Sequence, residues 1–143
     1  MFIYISLILI GLTDYYFEEI KKPKIIKNLL IDYPLIKFNN LGFEIVDNNK
    51  LVGKINHYQV YLSPNTSIEK KHKLSILIPL NYHTELEKHF SNFNDNFRIT
   101  IENKFLFAEC TLKEFDEKFS FESLIELLDN TTNELASKGI NPL

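Results

Sequence analysis

Two imidazoles and two carboxylates crowd into HTELEKH, residues 83–89, and His83, Glu87 and His89 invite a metal site. On a helix His83 and Glu87 stand one turn apart, but His89 is turned about 240° from His83, so the two imidazoles diverge. No HExxH pairing exists, and zinc would need a further convergent ligand from elsewhere. A solvated helix face is the expectation. Glu109 interrupts FLFA and CTL: if Phe105 and Phe107 face inward, Glu109 follows them, which would make it a candidate buried carboxylate with a raised pKa. The plainer alternative takes Glu109 to the rim of the sheet or to a lysine. Cys110 is the sole cysteine, so neither an intrachain disulfide nor a CxxC motif can form. An isolated thiol in an apolar stretch reads as a small core hydrophobe, in a reducing compartment.

The remaining chemistry is thin. His57 falls in a tight turn and His72 in a Lys-rich loop, both ordinary solvated places. GKIN at 53–56 lacks the preceding glycine of a phosphate loop, and no GxGxxG, GxSxG or paired-carboxylate motif is present. The sequons at Asn65 and Asn130 matter only on a glycosylating secretory route. No catalytic residue, cofactor site or metal site is therefore expected, and an enzyme would have to combine Glu109 with a histidine from another element.

A chain of 143 residues, 45% apolar and 24% charged, can bury one core without disulfides or metal. Its net charge is −3, and Arg98 is the one arginine among 16 basic residues. Nucleic-acid binding is excluded on that ground, since it calls for a basic footprint rich in planar guanidinium groups. Charge is segregated: residues 20–75 hold ten lysines against four acids, and residues 83–143 hold six bases against twelve acids. That division reads as two solvated faces of one domain.

Residues 1–13 carry no charged side chain; Asp14, Tyr15, Tyr16, Phe17 and two glutamates follow. A helix through Phe17 would measure about 25 Å against a hydrocarbon core of about 30 Å, short for a span. Tyrosines suit the interface, and Lys21, Lys22, Lys24 and Lys27 form a basic cluster that would lie next to the membrane and keep the domain cytoplasmic. A cleavable signal peptide lacks both its basic start and its small-x-small site here. The alternative makes IYISLILI a buried core element or a dimer interface. Residues 1–20 are thus expected as an apolar segment, a short membrane anchor, and residues 21–143 as a single α+β domain.

The positioning elements follow from period and punctuation. Pro23 suits the start of a short amphipathic helix with Ile25, Ile26, Leu29, Leu30 and Tyr33 on one face, stopped by Pro34. From Phe43 the period becomes two, with DNNK and NH as hairpin turns. Gly53 suggests a bulge or a close backbone approach. LSILIPL is a strand, YHTELEKHF a short helix, and FRITI with FLFAECTL a last hairpin. Ser120 caps a C-terminal helix, with Phe119 and Leu124 as a hydrophobic staple, Phe121, Leu124, Ile125, Leu128 and Leu135 on its apolar face, and Gly139 and Pro142 at its exit. The sum is an α+β fold: an antiparallel sheet of about five to six strands in hairpins, helices on one face, preceded by the N-terminal apolar segment.

This order of elements resembles small bacterial partner-binding α+β domains of the secretion-chaperone type, in topology and without a shared motif. The functional expectation is a non-enzymatic binding module, held at the membrane by residues 1–17 with its domain on the cytoplasmic side. Its partner is a protein of unknown identity. The alternative is a soluble partner-binding protein, chaperone-like or immunity-type.

Overall fold

A computed structural model describes residues 2–32, 34–69, 72–81, 98–102, 104–111 and 120–143. Its first feature is a helical run from Phe2 to Ile31, made of α1 (Phe2–Tyr16), a π turn (Phe17–Lys21) and α2 (Lys22–Ile31). Pro23 stands in the first turn of α2, as expected, although α2 continues from the π turn without a break. The Lys22 N–H bonds to the Phe17 carbonyl five residues back, so the ladder is already reset when the proline withholds its own N–H. Asp32, with φ −94° and ψ 163°, ends α2 two residues before Pro34. A 3₁₀ segment, Leu35–Leu41, then buries Leu35 and Phe38 and closes on Gly42 at φ +81°.

The strands are β1 (Glu44–Val46), β2 (Lys50–Ile55), β3 (Tyr58–Thr66), β4 (His72–Asn81), β5 (Arg98–Glu102) and β6 (Phe105–Thr111). They form one antiparallel sheet in the order β1-β2-β3-β4-β6-β5. Both early hairpin turns use positive φ as their Asn and Asp residues allow: Asp47 and Asn48 at 53° and 54°, Asn56 and His57 at 48° and 74°. The helix α3 (Phe121–Ser137) follows, and Gly139 at φ +71° turns the chain into a two-residue strand, β7 (Asn141–Pro142), paired with the end of β4.

One face of the sheet carries the core. Alternation on β3 buries Tyr58, Val60 and Leu62, and on β4 it buries Leu74, Ile76, Ile78 and Leu80. On β6 the phase is opposite to the one that would bury Phe105 and Phe107. Leu106, Ala108 and Cys110 point inward, while both phenylalanines lie on the open face. The register decides this: Leu106 and Ala108 stand beside Ile78 and Ile76 of β4, so the even residues share the core face. The core receives Ile26, Leu29 and Leu30 from α2, and Leu124, Leu128 and Leu135 from α3. Ser120 caps α3, accepting a bond from the Ser123 N–H at 3.1 Å. The expected helix at 82–90, with Tyr82, Leu86 and Phe90, and the staple residue Phe119 lie outside the described residues.

Gly53 interrupts no pairing; it faces Val60 in regular register. Its lack of a side chain is used by Phe43, whose ring lies where a Cβ would stand. Phe38 meets that ring edge-on at 5.1 Å and 71°, and Phe121 of α3 meets Phe38 at 5.1 Å and 78°. Gly53→Val should therefore expel Phe43 and cost about 1–3 kcal/mol in a denaturant titration, the range for overpacking. A paired Phe43→Ala change should make the valine nearly neutral relative to Phe43→Ala alone.

Tyr58 donates its buried hydroxyl to the Ile140 carbonyl, tying the chain after α3 to the sheet. Burial raises the pKa of this phenol. The folded state thus favours the neutral form: its stability contribution is present below pH about 10 and is lost as pH rises through the folded pKa. Thermal melts of the wild type and Tyr58→Phe should converge above that pH, the mutant being less stable by about 0.5–1.5 kcal/mol at neutral pH.

Candidate functional site: an exposed apolar helix with a basic collar

The described histidines and carboxylates do not converge. No group of three or more His, Cys, Asp or Glu side chains among the described residues could hold a metal ion. His83, Glu87 and His89 lie outside those residues. His72 pairs through Nδ1 with the Thr66 hydroxyl at 2.8 Å, and His57 is exposed at its turn. Glu109 sits on the open face of β6 with its side chain 38% exposed, 2.7 Å from Lys73 Nζ on the adjacent strand. The inward phase that would have buried its carboxylate belongs to Ala108 and Cys110 instead. Cys110 is buried and in contact with the Leu74 carbonyl at 3.7 Å, a packing position.

What stands apart is α1. Ile5, Leu7, Ile8, Leu9, Ile10 and Leu12 are each 50–62% exposed. Side chains on one helix partly cover one another, so such values all round the axis describe a helix with almost nothing packed against it. Tyr15 and Tyr16 continue the exposed surface, and Phe17, 6% exposed, is the first buried residue among the described side chains. The described side chains of IYISLILI, Ile5 to Ile10, are exposed and are not among the core residues; they belong to a helix whose principal neighbour is the π turn that follows it.

The reason lies in pattern. A helix that covers a sheet needs an apolar stripe and a polar back. The run FIYISLILIGL is apolar in every direction and offers no side to turn to water. Its Thr13 hydroxyl bonds back to the Leu9 carbonyl at 2.7 Å, which leaves that hydroxyl proton satisfied within the helix. No helix among the described residues is long and apolar enough to cross a membrane, so the expected transmembrane helix is not present as such.

Lysines ring the base of this projection. Lys22 is held by Glu18 at 2.7 Å, one turn earlier. Lys21, Lys24 and Lys27 are exposed and have no carboxylate partner among the described residues. The four expected basic residues therefore do gather on one short stretch of helix, and one of them is neutralised. The sequence carried the composition of this collar but not the Glu18 pairing. That pairing depends on the π turn keeping Glu18 and Lys22 within the same helical run.

Compared with known protein families, curated proteins and solved structures, the chain matches none.

Because α1 shares so little surface with the body, a chain beginning at Phe17 should keep the thermal midpoint of the full chain to within about 2 °C. It should bind much less of an apolar fluorescent dye. A drop of 10 °C or more would place α1 in the cooperative unit, since about 1 kcal/mol moves the midpoint of a domain this size by several degrees.

Proposed function

We propose that the chain is a non-enzymatic interaction module held at the cytoplasmic face of a membrane by α1. The observation that carries this reading is the all-round exposure of Ile5 to Leu12, beside a core whose described residues include none of them. Burying a large apolar side chain fully is worth about 1.5–3 kcal/mol, so even half that gain over six side chains amounts to several kcal/mol available to whatever covers them.

Lipid suits this helix better than water, because the segment has no polar back and its Thr13 hydroxyl is already bonded. Its uncharged part, residues 2–13, rises about 18 Å, against a hydrocarbon thickness of about 30 Å. Insertion without crossing follows, with Tyr15 and Tyr16 in the interfacial layer and the lysines beyond it. Each lysine near an anionic leaflet adds about 1 kcal/mol, and the cytoplasmic leaflet is the anionic one. Cys110, buried and the sole cysteine of the sequence, accords with that side of the membrane. The partner recognised by the body is a protein of unknown identity.

Flotation with lipid vesicles tests the reading. The full chain should float with phosphatidylcholine vesicles containing phosphatidylglycerol, and the chain beginning at Phe17 should remain at the bottom. Should the full chain ignore vesicles and sediment instead as a discrete dimer that the shorter chain cannot form, α1 is a protein interface and the soluble partner-binding alternative replaces the membrane one.

A further inference from the structure

The base of the projecting helix borders a cleft of about 450 Å³ between the start of α2 and the β1–β2 turn. Lys22, Lys24 and Lys27 form one wall, and Asp47, Asn48 and Asn49 of the turn form the other. The charges are unevenly matched. Glu18, at the edge of the cleft, is taken up by Lys22 at 2.7 Å, and Asp47 by Lys50 at 3.3 Å. Lys24 and Lys27 keep their charge unanswered by any carboxylate among the described residues. They stand three residues apart, on neighbouring positions of one helix face. Asn48 and Asn49 add neutral amide donors opposite them.

We propose that this cleft binds a phosphate ester, and that an inserted α1 delivers it to the headgroup of an anionic lipid. Two adjacent ammonium groups with amides across a gap answer the chemistry of a phosphate: spread negative charge and several acceptor oxygens. A cleft of this volume is within the usual range for small-ligand sites. Position supplies the link to lipid. Lys24 lies eight residues after Tyr16, about 12 Å along the helix, and Cα–Cβ bonds lean toward the N-terminus. Both lysine side chains therefore lean back toward the layer in which headgroups would lie. The inference rests on the membrane reading for its ligand source, while the cleft and its charge stand independently of it.

The experiment is flotation of the full chain with vesicles of phosphatidylcholine alone and of phosphatidylcholine mixed with phosphatidylglycerol. Binding should be tighter on the mixed vesicles, and Lys24→Gln/Lys27→Gln should lose that gain, about thirtyfold if each lysine acts as strongly as one at an anionic surface. Lys21→Gln removes a charge from the same stretch but outside the cleft, and should change binding less than twofold. Asn48→Gly keeps the left-handed turn and the net charge, and should still weaken binding to the mixed vesicles several-fold. If Lys21→Gln costs as much as either cleft lysine, about fivefold, and Asn48→Gly costs nothing, the attraction is diffuse and the cleft is no site. Equal binding to both vesicle types overturns the cleft and leaves the membrane reading standing; no binding to either overturns the membrane reading. Glycerol 3-phosphate, added at constant ionic strength, separates the sources: release to the level on neutral vesicles shows that the cleft takes a free phosphate ester, and retention shows that it needs the lipid headgroup.

Discussion

The Phe43 ring lying over Gly53 is the constraint on which the arrangement of the body depends. It fills the space a side chain on β2 would occupy, and through Phe38 it connects the 3₁₀ segment to Phe121 at the start of α3. A glycine ordinarily weakens a strand, but here the missing side chain becomes a seat for a ring, which restores the buried area. β2, the 3₁₀ segment and α3 are thus joined through two ring contacts. The N-terminus of α3 and the entry to β1 are thereby linked through the Phe38 ring.

The other end of α3 is held by polar contacts. Asn56, at the tip of the β2–β3 turn, donates to Asp129 at 2.6 Å and to Thr132 at 3.0 Å, and Tyr58 holds the segment after the helix. A left-handed Asn is needed to aim that amide, so the turn type and the docking of the helix are one feature. α2 and α3 are both seated on one face, and the core among the described residues includes no side chain of α1. The projecting helix leaves its described apolar side chains exposed, and Phe17 marks the border between that exposed stretch and the body.

Much of this was legible in the order of residues. Alternation on β3 and β4, positive-φ residues at both hairpin turns, the Ser120 cap and the apolar face of α3 are local signals, and each holds in the structure. The α+β class with an antiparallel sheet follows from them. Where the pattern was ambiguous, local reasoning failed. FLFAECT alternates equally well in either phase, and only its register against β4 showed that Leu106, Ala108 and Cys110 are the inner set. Thr131 and Thr132 are buried although polar, because each hydroxyl bonds to the carbonyl four residues back and so needs no water.

The sequence by itself determined that α1 would be apolar on every side and that a lysine collar would follow it. Composition alone fixes those properties, whatever the chain packs against. It could not say whether that run lies inside the body or outside, since an apolar stretch of this length suits either environment equally. Tertiary structure decided it: α2, the 3₁₀ segment and α3 cover the core face, and the π turn at Phe17 carries the helix onward past Pro23. The cleft likewise exists only in three dimensions. Lys24 and Lys27 meet Asn48 and Asn49 across some twenty residues of chain. Among the described residues Lys24 and Lys27 have no carboxylate partner, because the two acids bordering the cleft are taken by Lys22 and Lys50.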